Sequence, residues 1–181
     1  TLQYINISSD SPNYASVDGI LYNKEKTEIL VVPKNYNRSN LTIPEGVRVI
    51  KSCAFYNRNS LKEIVIQDGT VSIECSAFCC CKSLISIYIP DSVELIGEDA
   101  FAHCESLISV RISSNIKKIE KDTFFGCVSL EKLFIPESVE RIGEYAFYET
   151  SIRELKIPKN VVSIDPSNFK TIHTLKRLRS I

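Results

Sequence analysis

The residues with the greatest chemical potential in this chain are its seven cysteines and two histidines. His103 and Cys104 are adjacent, and their residue types form the base and the nucleophile of cysteine hydrolases. Adjacent residues on a turn point in different directions, however, and the sequence does not position an acidic residue as the third partner of this pair. A glycine-rich phosphate loop and a Gly-x-Ser-x-Gly turn are also missing from the sequence. We therefore predict no catalytic residues and no enzymatic activity.

Zinc binding is the second chemistry to consider, because Cys75 and Cys79 are separated by three residues. The sequence contains no Cys-x-x-Cys pair of the kind that structural zinc sites use. Three other cysteines recur at one position, fifteen residues after a regularly spaced isoleucine: Cys81, Cys104 and Cys127. Free cysteine packs there as a small apolar residue, so these thiols are predicted to be buried and reduced. The sequence predicts no metal site and no cofactor, and it leaves the redox state of Cys79, Cys80 and the remaining cysteines open.

The charges of the chain balance, with 22 Lys and Arg residues against 22 Asp and Glu residues. A chain without net charge has no field that attracts nucleic acid, so we predict no nucleic-acid partner. Apolar residues make up 44% of the chain, but no stretch approaches the roughly 18 consecutive apolar residues of a membrane span. We therefore predict no membrane insertion in this segment.

A repeat of about 23 residues positions these side chains. Isoleucine recurs every 23 residues, with a last interval of 22: Ile43, Ile66, Ile89, Ile112, Ile135 and Ile157. Phenylalanine follows each of these isoleucines after twelve residues: Phe55, Phe78, Phe101, Phe124, Phe147 and Phe169. A repeat of this length is typical of a solenoid, because each unit can bury its apolar face only against its neighbours.

The repeated unit reads Leu-x-x-Ile-x-Ile-Pro-x-x-Val-x-x-Ile-Gly-x-x-Ala-Phe-x-x-Cys-x-Ser. Its Leu-x-x-Ile-x-Ile segment predicts a short strand with alternating inward residues, and the proline ends that strand. Val-x-x-Ile predicts a second extended segment on another side of the coil. Ala-Phe-x-x-Cys predicts a tight helical turn whose phenylalanine fills the interior of the coil. These elements predict an α/β solenoid of mostly short strands, which is a right-handed coil of ~23-residue repeats.

Residues 1–181 are expected to form a single domain of about seven turns. The period is interrupted by a hairpin insertion around residues 10–38, where a polar turn at 23–26 separates two strand-like segments. The pattern Leu2-x-x-Ile5-x-Ile7 predicts a strand at the start, and a further strand begins at Leu175. Neither end carries the polar cap that closes a solenoid, so the sequence is compatible with a fragment of a longer protein.

The repeat unit resembles the BspA-like leucine-rich repeats of treponemal and Bacteroides surface proteins, over essentially the whole chain. Residues 13–24 are also similar to the hairpin-bearing repeat of such proteins. The resemblance implies an arc-shaped solenoid with a parallel sheet on its concave face, and a role in adhesion or host-protein binding at the cell surface. It does not imply an enzyme. The chain departs from the pattern at Gln67 and Ser113, which replace proline, and at Arg58, which replaces cysteine, so the strand ends near them are in question.

In each strand, the residue between the two inward positions points away from the core. These residues form one row, and the residues two positions earlier form a second: Thr42, Val65, Tyr88, Arg111, Phe134 and Lys156, then Asn40, Glu63, Ser86, Ser109, Lys132 and Glu154. Tyrosine and arginine are enriched in interface hot spots. The alternative is that these residues merely cover a sheet with side chains that favour strands. The predicted protein-binding face consists of Val65, Tyr88, Arg111, Phe134, Lys156, Glu63 and Lys132.

The chain is thus predicted to be a protein-binding leucine-rich-repeat module. Its expected ligand is an extracellular-matrix protein or another surface protein, and its expected location, by resemblance alone, is the cell surface or the secreted fraction. The alternative is a structural spacer or an intracellular scaffold without a ligand of its own. Binding that depends on the predicted face would distinguish the first function from the second.

Overall fold

The computed structural model describes residues 2–169 and the strand Leu178–Arg179. They form a β-solenoid of about six stacked turns with parallel strands and almost no helix, which confirms the predicted solenoid. The described residues contain one 3-10 helix, Pro166–Phe169. Leu175, with which a further strand was predicted to begin, lies outside the described residues.

The strands are, in chain order, β1 (Tyr14–Val17), β2 (Ile20–Asn23), β3 (Glu28–Val31), β4 (Asn40–Thr42), β5 (Val49–Ile50), β6 (Glu63–Val65), β7 (Ser72–Ile73), β8 (Ser86–Tyr88), β9 (Leu95–Ile96), β10 (Ser109–Arg111), β11 (Lys118–Ile119), β12 (Lys132–Phe134), β13 (Arg141–Ile142), β14 (Leu155–Lys156), β15 (Ser163–Ile164) and β16 (Leu178–Arg179).

The first wall of the solenoid is a parallel sheet with the strand order β12-β10-β8-β6-β4. Its strands pair in the register of the sequence repeat, so that Ile64 lies beside Ile87 and Val110 beside Leu133. These central residues are buried and both of their neighbours in each strand are exposed. Strands β6 and β10 end at the same repeat position as β8 and β12. The missing prolines at Gln67 and Ser113 therefore do not change where the strands end.

The second wall consists of two-residue parallel strands that cover the opposite side of the core. Strands β5, β7 and β9 continue a sheet that begins with β1, β2 and β3, whereas β11, β13 and β15 form a separate sheet. Strand β2 pairs antiparallel with both β1 and β3, and β3 joins the solenoid through parallel pairing with β5. The hairpin is thus built into this wall at the place where the sequence period is interrupted.

The first residues do not form the strand that their spacing predicts. Residues 2–13 contain no strand; instead the N–H of Ile5 donates to the carbonyl of Gly19, and the N–H of Asn35 donates to the carbonyl of Leu2. Gly19 has a φ of +80°, and a Cβ there would lie 2.5 Å from the ring of Tyr4. The segment therefore lies across the hairpin, whose backbone satisfies its polar groups in place of a strand ladder.

The third wall is the turn that carries phenylalanine, and it is not helical as predicted. Two positions in every turn have left-handed backbone, and most of their residues are not glycine: Cys53, Ser76, Asp99, Asp122 and Tyr145, then Asn57, Cys80, His103, Gly126 and Glu149. A continuous helix would direct its N–H groups along its own axis. The left-handed residues interrupt the helical path of the backbone, so that N–H groups point to the neighbouring turn instead. The N–H of Phe55, for example, donates to the carbonyl of Ala77 (2.8 Å) in the next turn. Hydrogen bonds between turns thus offset the cost of the left-handed residues.

The core is a stack of phenylalanine rings along the solenoid axis. Successive ring centroids from Phe55 to Phe147 are 4.8, 5.4, 5.6 and 6.4 Å apart, with nearly parallel planes. All five rings are fully buried. Burying such a side chain contributes roughly 1.5–3 kcal/mol, so this column is a main source of the stability of the turns.

The recurrent cysteines are buried beside this stack and carry free thiols, as the sequence predicts. The thiols of Cys81, Cys104 and Cys127 donate to the carbonyls of Phe55, Phe78 and Phe101, 3.0 to 3.2 Å away in the preceding turn. Burial raises the pKa of Cys81 and of Cys127 to about 12. Arg58, which replaces cysteine, donates from Nε to the equivalent carbonyl of Val32 at 2.6 Å. Cysteine in three turns and arginine in a fourth thus supply a side-chain donor to the preceding turn at this position.

Phe101→Ala is expected to lower the free energy of unfolding by about 3–5 kcal/mol, the usual cost of truncating a buried phenylalanine. Its ring lies between those of Phe78 and Phe124. Phe134→Ala is the matched control, because that ring is 65% exposed and its loss should change stability by less than about 0.5 kcal/mol. Urea denaturation of both variants measures the difference. Equal losses would contradict the stacked core.

Candidate functional site

The two predicted rows of outward residues lie side by side, on the exposed face of the first sheet in five turns and on the following turn at Glu154 and Lys156. We call the row Thr42, Val65, Tyr88, Arg111, Phe134 and Lys156 the aromatic row, and the row Asn40, Glu63, Ser86, Ser109, Lys132 and Glu154 the polar row. Val65 pairs in register with Tyr88, and Arg111 with Phe134. Parallel strands are about 4.8 Å apart, so Val65 to Phe134 span roughly 15 Å. Lys156 belongs to β14, which pairs with β16.

The aromatic row exposes an unusual amount of apolar surface for the outside of a sheet. Val65 is 40% exposed, Tyr88 52% and Phe134 65%. Large apolar side chains cluster on a protein surface mainly where another molecule binds. Val65 and Tyr88 lie on adjacent turns. Arg111 lies on the next turn, between the turns of Tyr88 and Phe134.

Arg111 is held in place by Asp91, a residue that the sequence analysis did not single out. The guanidinium Nη2 lies 2.8 Å from Oδ2 of Asp91, and the other carboxylate oxygen accepts the N–H of Ser114 at 2.8 Å. The hydrogen bond from Arg111 is the main reason why the pKa of Asp91 is lowered to about 2. An acidic residue recurs at this repeat position, two residues after the strand isoleucine: Glu45, Asp68, Asp91 and Glu137. That recurrence is the signal that could have predicted a partner for Arg111.

The later turns of the face enclose an open groove of about 710 Å³. The groove is lined by four residues of the predicted protein-binding face: Arg111, Lys132, Phe134 and Lys156. Three charged residues that do not belong to the predicted face also line it: Glu131, Arg153 and Glu154. Arg153 lies 3.9 Å from Glu131, whereas no ion pair of Lys132 or Lys156 occurs within the described part of the chain. The groove therefore offers an exposed phenyl ring flanked by two available ammonium groups. Glu63, Val65 and Tyr88 lie on earlier turns, outside this groove.

Two exposed isoleucines at the margin of the face were also missed. Ile85 and Ile108 precede β8 and β10 by one residue, and they are 40% and 52% exposed. The N–H of Ile108 donates to the carbonyl of Ile85, so the two residues follow each other from turn to turn. Their apolar type and their position next to an inward leucine suggest burial, and nothing in the spacing marks them as exposed. They extend the apolar surface beside the polar row.

The residues considered for catalysis and metal binding have other roles. The thiol of Cys104 hydrogen-bonds the carbonyl of Phe78, while the ring of His103 packs edge-on against Phe125 with centroids 5.1 Å apart. His103 and Cys104 therefore engage different partners. Over residues 2–169, no three His, Cys, Asp or Glu side chains are grouped so that they could hold a metal ion. The described residues also include no helix with the length and apolar character to cross a membrane.

Comparison with known proteins identifies the repeat. Residues 33–140 and 96–180 match the BspA type leucine rich repeat region, in six copies. This chain belongs to the BspA-type leucine-rich repeat family. No protein with a curated description matches the chain.

Solved structures of similar fold come from bacterial leucine-rich repeat proteins. A leucine rich cell surface protein from Faecalibacterium prausnitzii is 28% identical, with a TM-score of 0.79 over 94% of this chain and 55% of its own. The BspA-type chain therefore spans about half the length of that protein. The leucine rich repeat protein of T. pallidum is 22% identical, with a TM-score of 0.67 over 88% of this chain and 81% of its own. The pneumococcal vaccine antigen PcpA is 22% identical, with a TM-score of 0.62 over 92% of this chain and 37% of its own.

Arg111→Ala in this BspA-type chain is expected to raise the pKa of Asp91 from about 2 towards the usual carboxyl range, because it removes the largest cause of the shift. Since the lowered pKa belongs to an acid, the ion pair should persist as the pH falls until the carboxyl group is protonated. An NMR titration of the Asp91 carboxyl measures the shift. Arg153→Ala, which removes an exposed cation that contacts Glu131 instead, is the control. An Asp91 pKa that is the same in both variants would show that Arg111 is not its partner in solution.

Proposed function

We propose that this chain is a protein-binding module whose ligand docks on the aromatic row and on the groove beside it. The observation that carries the proposal is the exposure of Tyr88 and Phe134 on either side of Arg111, which Asp91 holds in place. Tyr and Arg dominate interface hot spots, and phenylalanine is enriched in the buried centre of interfaces. The family is one of leucine-rich repeats, consistent with a protein-interaction fold and not with an enzyme family.

The rigidity of the face favours binding. Its side chains stand on a hydrogen-bonded parallel sheet in fixed register, and Arg111 is paired with Asp91 in the absence of a ligand. Ordering a long side chain at an interface costs roughly 0.5–1.5 kcal/mol. A ligand that meets Arg111 already paired with Asp91 avoids part of that cost. The same reasoning does not apply to Lys132 and Lys156, which are exposed and have no ion pair among the described residues.

The cell surface or the secreted fraction is the proposed location, and adhesion to an extracellular-matrix or other surface protein is the proposed role. The support comes from relatives: the protein from Faecalibacterium prausnitzii is described as a cell surface protein, and PcpA as a vaccine antigen. The balanced charge of the chain gives no reason to expect nucleic acid as the partner. A protein surface with apolar side chains and carboxylates would match both the exposed rings and the ammonium groups.

The test is binding of the immobilised chain to a panel of purified extracellular-matrix and cell-surface proteins. The variant combines Tyr88→Ala, Arg111→Ala and Phe134→Ala. A hot-spot residue contributes about 2 kcal/mol or more, so this variant should bind at least about 30-fold more weakly even if only one of the three is a hot spot. The measurement is the Kd from surface plasmon resonance, with circular dichroism to establish that the variant is folded.

The matched control combines Tyr14→Ala, Tyr56→Ala and Arg141→Ala, which removes two exposed tyrosines and an exposed arginine from other walls of the solenoid. It should bind like the unmodified chain. Undiminished binding by the Tyr88, Arg111 and Phe134 variant would reject the aromatic row as the site. Absence of binding to any panel protein would favour the spacer or scaffold function instead.

A further inference from the structure

Two neighbouring cysteines on the third wall have a geometry that neither the repeat nor the proposed binding function explains. Cys79 and Cys80 lie in one turn with their Sγ atoms 3.6 Å apart. All seven cysteines are described, and this is the only contact between two thiols among them. Cys79 is 9% exposed and Cys80 is half-buried. The pair is therefore in reach of a small molecule from the side of Cys80.

The backbone of the turn keeps the two thiols together. The N–H of Cys80 donates to the carbonyl of Ala102 in the next turn at 2.8 Å, and the carbonyl of Cys79 accepts the N–H of Asn57 in the preceding turn at 2.8 Å. The peptide unit between the cysteines is thus held from both sides. Cys80 also occupies one of the left-handed positions, with a φ of +61°. Stacking of the turns therefore fixes the relative position of the two side chains.

The other cysteines are arranged differently. Cys81, Cys104 and Cys127 are buried, and their thiols are hydrogen-bonded to carbonyl oxygens of the preceding turn. Cys53 and Cys75 are exposed and have no thiol neighbour within contact distance. A reaction that needs two adjacent sulfurs can therefore occur only at Cys79 and Cys80.

We propose that Cys79 and Cys80 are a redox-active dithiol that low-molecular-weight disulfides oxidise reversibly to an intramolecular disulfide. In the first step, the thiolate of Cys80 attacks the oxidant RS–SR, a Cys80–SR bond forms, and one RS⁻ leaves and takes up the proton that Cys80 lost. In the second step, Sγ of Cys79 attacks Sγ of Cys80, the second RS⁻ leaves, and the Cys79 proton passes to it. Two protein thiols are oxidised, and one disulfide is reduced to two RSH.

Burial assigns the two roles. Cys80 is the more accessible sulfur and reacts first with a molecule from solvent, while Cys79 resolves the mixed disulfide from inside. Burial is the main reason why the pKa of Cys79 is raised to about 12, so a free Cys79 thiol is a poor nucleophile towards solvent. The hydroxyl of Tyr56 lies beside the Cys80 thiol, and this interaction raises the pKa of Tyr56.

Reversibility follows from the separation of the two residues along the chain. The Cα atoms of adjacent residues joined by a trans peptide are about 3.8 Å apart, which is less than the roughly 4.4–6.8 Å of ordinary disulfides. The structure contains no cis peptide among its described residues. A bond formed across this shorter separation is easier to reduce, and easily reduced disulfides are the labile and regulatory ones.

The test exposes the reduced full chain to oxidised glutathione, and then unfolds it and alkylates every remaining thiol. The tryptic peptide 63–82 contains Cys75, Cys79, Cys80 and Cys81. Mass spectrometry should give a peptide mass that is lower by two hydrogen atoms, with alkyl groups on Cys75 and Cys81 alone. Treatment with dithiothreitol before alkylation should restore alkylation of all four cysteines.

Cys80→Ser should abolish the loss of two hydrogens, whereas the matched control Cys75→Ser, which removes an exposed cysteine without a thiol neighbour, should retain it.

Because a variant could fold poorly, the unmodified chain is also treated with phenylarsine oxide, which binds two neighbouring thiols through one arsenic atom. This reagent should protect Cys79 and Cys80 from alkylation, and not Cys53 or Cys75. A glutathione adduct that remains on Cys80, a disulfide to Cys53, or alkylation of all four cysteines after glutathione treatment would each overturn the proposal, as would absence of protection by the arsenical.

Discussion

The hydrogen bonds between successive turns are the interaction on which the rest of this structure depends. On the third wall, the N–H of Phe78 donates to the carbonyl of Ala100, and the N–H of Phe101 donates to that of Thr123. The parallel strands of the other two walls also hydrogen-bond from turn to turn. Backbone groups in a core must all find partners, so each turn has to present its carbonyls where the previous turn presents its N–H groups. This requirement keeps the length of the repeat nearly constant from turn to turn. Where the chain is one residue short, between Phe147 and Ile152, strand β14 has only two residues and pairs outside the first sheet.

The inward residues of the repeat could be predicted from the sequence because they obey this period. The isoleucine, phenylalanine and cysteine columns lie in the core where their spacing places them, except that Ile157 is only partly buried and Phe169, in the last turn, is outside the buried cluster. The left-handed turn could not be predicted, because residues such as Cys53 and Tyr145 are not those that usually mark a positive φ. The strand expected at Leu2 failed for a related reason. Its apolar spacing fits a strand, but the hairpin inserted after it supplies different hydrogen-bond partners.

The residue types at the outward positions do not repeat from turn to turn. Function can therefore vary at these positions without loss of the fold. Thr42, Val65 and Tyr88 occupy the same register on one sheet although their side chains have little in common. The sequence predicted which residues are exposed on this face, and the structure adds how they are held. Asp91 lies in the preceding turn, twenty residues before Arg111, so no pattern within a single strand reveals their contact. The two exposed isoleucines escaped prediction because residue type alone suggested that they are buried.

The same constraint accounts for only one of the three consecutive cysteines. Cys81 is turned towards the core, where it supplies the donor that Arg58 supplies one turn earlier. Cys80, one residue before it, occupies a left-handed position at which other turns carry Asn57, His103 or Gly126, so the fold itself does not require sulfur there. Cys79 likewise takes a position that Phe125 and Tyr148 fill with stacked rings in later turns. A core role therefore accounts for Cys81 but for neither of its neighbours, and the contact between their thiols is a property of this one turn.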